Sequence, residues 1–80
     1  MDTQDIVVWI QTWVSERRSD PSVVITEETD LYKSGLLDSL GIIELIESLE
    51  DEFELMFTEE QMQDGLTAAA DFAKVILDQA

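Results

Sequence analysis

Eighty residues carry 19 acidic and 4 basic side chains, no histidine and no cysteine, for a formal charge of −15. The missing cysteine and histidine exclude disulfides, thiolate chemistry, zinc–sulfur sites and a serine–histidine triad within this chain. The charge is wrong for binding nucleic acid phosphates or anionic lipid, while a 45% hydrophobic content is that of a folding chain.

The first predicted element is a helix from Thr3 to Arg18. Ile6, Trp9, Ile10, Trp13 and Val14 recur at helical spacing and form its inward face. Asp2 or Thr3 caps it, and Arg17 and Arg18 suit the negative end of its dipole. Ser19-Asp20-Pro21-Ser22 breaks the helix. A long connection then runs from Ser19 to Leu37. Its Val23-Val24-Ile25 run has no second strand to pair with, so it reads as loop pinned onto a helical core, with Leu31, Tyr32, Leu36 and Leu37 as further pins. Loops of this length in small domains are often functional.

A second helix is predicted from Ser39 to Glu54. Leu45, Ile46, Leu49 and Phe53 form its apolar stripe, with Ile42 at the edge and Leu40 and Ile43 off it. Its acids have no basic partner three or four residues away, so no ion pair is expected to support it. Thr58 with Gln61 matches a capping box opening a short helix that ends by Gly65. Thr67 is expected to cap a last helix from Ala68 to Gln79, with Phe72 and Ile76 facing inward together with Ala69 and Ala73. Met56, Phe57 and Met62 could line an apolar cleft between the second and third helices, but read more simply as packing residues. The fold class is therefore all-α: a four-helix bundle of three main helices and one short one, with a long first loop, in a single domain spanning 1–80.

No basic residue stands between Lys33 and Lys74, a stretch that holds eleven acids, Asp64 among them. A continuous negative field around the second helix is expected, and stability should rise with salt and as pH falls from neutral. No apolar run reaches the ~18 residues of a membrane-spanning helix, and Met1–Asp5 has no basic character. A cytoplasmic monomer with no membrane insertion and no nucleic acid partner is expected. No dedicated metal site and no catalytic residue can be drawn.

The informative string is Gly35-Leu36-Leu37-Asp38-Ser39-Leu40-Gly41-Ile42-Ile43-Glu44-Leu45. One geometry makes Asp38 the N-cap and Ser39 the first helical residue, its hydroxyl before the positive helix end. A phosphate esterified there would meet the dipole and free N–H groups. Ser39 taken alone reads more simply as an N-cap.

The string resembles the 4′-phosphopantetheine attachment motif of acyl carrier proteins. Length, acidity, helix layout, Asp30-Leu31 and Glu50-Asp51-Glu52-Phe53 extend the resemblance over nearly the whole chain. The Gly-Leu-Leu-Asp-Ser-Leu-Gly form is closer to stand-alone carriers of specialised pathways, aminoacyl and D-alanyl carriers included, than to the housekeeping fatty-acid carrier. The resemblance implies that Ser39, preceded by Asp38, takes 4′-phosphopantetheine from coenzyme A through a separate phosphopantetheinyl transferase. An acyl or aminoacyl group would then travel as a thioester from a loading ligase to a downstream synthase or transferase. Asp38, Glu44, Glu47, Glu50 and Asp51 would dock on basic partner patches, with Leu40 and Ile43 as exposed apolar contacts. Gly41 and Glu47 depart from the fatty-acid carrier, where Asp and an apolar residue are usual. Trp9 and Trp13 are also bulkier than usual, and are expected to fill interior space that a long acyl chain would need. The competing function is a small acidic interaction module or charge-mimic inhibitor with no covalent arm.

Overall fold

The computed structural model describes residues 1–63 and 65–79; Asp64 of the acidic stretch lies outside them. Four helices follow in order: α1 Thr3–Arg18, α2 Ser39–Phe53, α3 Glu59–Gln63 and α4 Ala69–Gln79. No strand forms among the described residues beyond an isolated bridge between Asp30 and Ala68. The all-α architecture expected from the sequence is the architecture found.

Local chemistry sets the helix ends. Asp2 and Asp5 exchange side-chain-to-backbone bonds at the start of α1, and Thr58 and Gln61 do the same before α3. α2 stops one residue early, because Glu54 turns to φ 54 in the left-handed region. The Thr67 cap is not what opens α4. The Ala69 and Ala70 N–H groups donate instead to the Thr29 and Glu27 carbonyls, both at 3.0 Å, and Asp71 accepts from the Ala68 N–H at 3.1 Å. The long loop thus supplies the acceptors that a helix start lacks internally.

One core joins the helices and the loop. It holds Ile6, Val7, Ile10 and Val14 of α1, Leu45, Ile46 and Leu49 of α2, Phe57, and Ala69, Phe72, Ala73, Val75 and Ile76 of α4. From the loop come Val23, Ile25, Leu31 and Leu37, all buried. Val24 points out with 74% exposure, so Val23-Val24-Ile25 alternates like a strand edge while pairing with nothing. Tyr32 is exposed and anchors nothing, which corrects its expected role.

The tryptophans are corrected too. The buried arc of α1 is rotated toward Val7, leaving Trp9 and Trp13 half-buried on its flank. Trp9 meets Phe53 edge-on at 5.8 Å, and Trp13 lies under the Arg17 guanidinium at 5.6 Å. Both rings pack against the core from its edge, and neither is fully buried. The Trp9–Phe53 and Arg17–Glu44 contacts run in opposite order along the two helices, so α1 and α2 are antiparallel. The end of α1 therefore lies beside the start of α2.

Candidate functional site

The start of α2 is built by Asp38. Its backbone is extended, with φ −89° and ψ −174°, and its carboxylate accepts the Gly41 N–H at 2.7 Å. Ser39 follows as the first helical residue, exposed. Asp38 occupies the Gly41 N–H, and the Asp38 carbonyl takes that of Ile42. The N–H groups of Ser39 and Leu40 are too near the helix start for intrahelical partners. An anion on the Ser39 hydroxyl would stand before them and before the positive end of the dipole.

Gly41 makes this cap possible. A Cβ there would stand 3.2 Å from Asp38 Oδ1 and 3.2 Å from two Leu37 side-chain atoms. The chain must pass close at this point, and Gly permits it. Leu37 is itself a core residue, so the loop, the cap and the core meet within one turn.

Around Ser39 the surface is mixed. Leu40 and Ile43 are 60% and 53% exposed, as expected for residues off the apolar stripe. Glu47 and Asp51 are also exposed. Ile43, Ile46, Glu47, Glu50 and Met62 line a small cleft between α2 and α3. Glu50 differs from its neighbours, because its carboxylate accepts the Phe57 N–H at 2.9 Å and ties the end of α2 to the α3 approach. Glu44 pairs with Arg17, so α2 is supported by a tertiary ion pair that helix-local spacing could not show.

That pair also interrupts the expected continuous negative field. Arg18 donates from Nη1 to the Leu36 carbonyl at 3.1 Å and more weakly to that of Gly35 at 3.4 Å. The two arginines thus grip α2 and the loop before Ser39, beyond any interaction with their own helix dipole. Sequence reading saw them at a helix end but not their reach, since only the antiparallel packing supplies it.

Among the described residues, the two carboxyls displaced from the ordinary range lie in the loop. The Ser22 hydroxyl and N–H hold Asp20 below it. The Lys33 N–H, at 2.7 Å, leads in holding Asp30 low. No cluster of metal ligands forms among the described residues.

A family profile described as "Phosphopantetheine attachment site" matches residues 9–76. The acyl carrier protein of Saccharopolyspora erythraea is 32% identical over 78 residues, covering 98% of this chain and 81% of the relative. The chain belongs to the acyl carrier protein family. No solved structure matches it.

Membership in this family assigns a covalently attached 4′-phosphopantetheine and a carrying role without catalysis. It sets aside the acidic module with no arm. The residues at the start of α2 fit such a group: an exposed serine, N–H groups without intrahelical partners, and a glycine that keeps the cap in place. Family members work with a phosphopantetheinyl transferase and with synthase enzymes. Among the described residues no helix is long and apolar enough to cross a membrane.

Proposed function

We propose that this chain is a stand-alone carrier of a specialised biosynthetic pathway, with Ser39 as the attachment point and residues 1–80 as one carrier domain. The pathway type is fatty acid, polyketide, nonribosomal peptide or D-alanyl transfer, and the Gly-Leu-Leu-Asp-Ser-Leu-Gly string favours the specialised carriers over the housekeeping one. The observation that carries the reading is the exposed Ser39 hydroxyl, first in α2 behind the Asp38 cap.

Modification is a phosphoryl transfer. Ser39 Oγ bonds to the phosphorus that bears pantetheine in coenzyme A, and the pyrophosphate linkage breaks. Adenosine 3′,5′-bisphosphate leaves, and the hydroxyl proton passes to a base of the transferase. Once bound, the arm supplies a thiol that this chain lacks and on which an acyl or aminoacyl cargo rides. Asp38 holds the helix start, and the N–H groups left without intrahelical partners would serve the phosphate.

Leu40 and Ile43 offer partners an apolar contact beside the arm, ringed by Glu44, Glu47 and Asp51. Loading ligases and downstream synthases or transferases with basic patches suit this face. Glu50 contributes charge while serving its own Phe57 contact. A cytoplasmic setting and a monomeric state complete the reading.

Intact mass spectrometry tests it. Incubation with coenzyme A, magnesium and a promiscuous phosphopantetheinyl transferase is expected to add one phosphopantetheine. Ser39→Ala is expected to abolish the gain while keeping its helical circular dichroism. A gain that persists in the variant would place the arm elsewhere.

A further inference from the structure

Charge balance at the attachment point is incomplete. A phosphodiester on Ser39 adds a negative charge directly beside the Asp38 carboxylate, on a helix whose only ion pair among the described residues is Glu44–Arg17. The helix N-terminus offers roughly half a positive charge, and Asp38 already draws on it. A nearby cation without a carboxylate of its own would correct the imbalance.

Arg18 meets that description. Arg17 is committed to Glu44 and to the face of Trp13. Arg18 has no carboxylate within ion-pair distance among the described residues. Its recorded bonds use Nη1 alone, to the Leu36 and Gly35 carbonyls, out of five N–H donors in a planar fork suited to phosphate. Asp20 feels its charge, but Asp20 Oδ1 is taken by the Ser22 N–H at 3.0 Å and by the Ser22 hydroxyl.

The geometry brings this guanidinium to the right place. Arg17, Arg18, Gly35, Leu36, Leu37 and Asp38 line one open cleft of about 260 Å³, and Ser39 is the next residue along the chain. Two residues separate the Arg18 anchor at Leu36 from Ser39, at most ~11 Å of extended chain between their Cα atoms. A phosphate on Ser39 is therefore rooted beside the cleft that the guanidinium lines.

We propose that Arg18 is the counter-charge of the phosphodiester on Ser39, a positioning residue that holds the root of the arm against the loop. The assignment rests on Ser39 being the attachment point. It gives the end of α1 a task in the loaded state: with Nη1 kept on the loop carbonyls, the guanidinium turns its free donors toward the phosphate oxygens. The rest of the arm then leaves from a fixed root, toward the Leu40 and Ile43 side of the helix.

The experiment compares apo and holo forms of the full chain for wild type and Arg18→Gln. Loading is verified by intact mass, and melting is followed at low salt. In wild type, loading is expected to leave the melting temperature unchanged or raise it. In the variant the holo form is expected to melt about 1–5 °C below its own apo form, a gap that closes near ~0.5 M NaCl. Taking the difference within each variant cancels any general cost of the substitution. The same apo–holo difference in both proteins overturns the assignment. Should Arg18→Gln disturb the fold, NMR of the wild-type Arg18 Nε–Hε group decides. A shift on loading supports the contact, and an unmoved resonance overturns it. Failure to load wild type at all would instead overturn the Ser39 reading, and this assignment with it.

Discussion

Gly41 shows how far a residue's neighbours can reverse its intrinsic preference. A glycine within a helix costs about 0.5–1 kcal/mol against alanine, so helix propensity alone favours replacing it. Here a Cβ would press at 3.2 Å on Asp38 Oδ1, which is pinned by the Gly41 N–H, and on Leu37, which is pinned in the core. Neither neighbour is the free end of a flexible chain. Weakening the cap costs about 1 kcal/mol, and crowding the buried leucine adds to that. Gly41→Ala is therefore expected to lower the melting temperature by a few degrees despite the propensity gain. A thermal melt followed by circular dichroism checks it, and a variant melting above wild type would show that the cap yields freely.

At the scale of elements, the loop between α1 and α2 behaves as a structural member. Leu31 is fully buried, its N–H donates to the Thr67 carbonyl at 2.7 Å, and the loop carbonyls cap α4. Leu31→Ala is expected to cost about 2–5 kcal/mol. For a chain this size total stability is of the order of 4–12 kcal/mol, so that is a large share. Urea denaturation should show a lower midpoint with little change in slope. Tyr32→Ala, beside it but exposed, should stay within ~0.5 kcal/mol of wild type, and equal effects at the two positions would deny the loop its anchoring role.

The same loop separates what the sequence could tell from what it could not. Helix positions, the Asp38 cap and the exposure of Leu40 and Ile43 follow from spacing and capping chemistry within a few residues, and these were legible. The reading of Val23-Val24-Ile25 as loop also succeeded, because a strand needs a partner and none was in sight. Thr67 failed as a cap because the acceptors for α4 lie some forty residues earlier in the chain. The α1 face was misjudged for a related reason. Trp9 and Trp13 have large apolar rings and helical spacing, but Val7 is buried while the rings are half-buried at the edge of the core. Arg17 and Arg18 illustrate the same limit at the site itself. Their proximity to the attachment string arises only once α1 and α2 lie antiparallel.

The whole molecule carries 19 carboxylates against 4 basic groups. Two of those four, Arg17 and Arg18, are already engaged at one end of the bundle. Added salt has two opposing effects on such a fold. It screens the Arg17–Glu44 pair, an exposed contact worth at most ~1 kcal/mol. It also screens repulsion among the acids that folding brings together on α2 and its neighbours, which self-repulsion makes unfavourable for the compact state. With nearly five acids for every base the second effect dominates, so stability should rise with ionic strength. Melting temperature is expected to climb between ~0.02 and ~0.5 M NaCl, as the Debye length falls from tens of ångströms to a few. Millimolar magnesium should do the same at far lower concentration, since a divalent ion neutralises neighbouring carboxylates together. A melting temperature that falls or stays level across that salt range would mean that the acids lie too far apart in the fold to repel. The acidic face would then leave its charge for a partner's basic patch at no cost to the carrier's own stability.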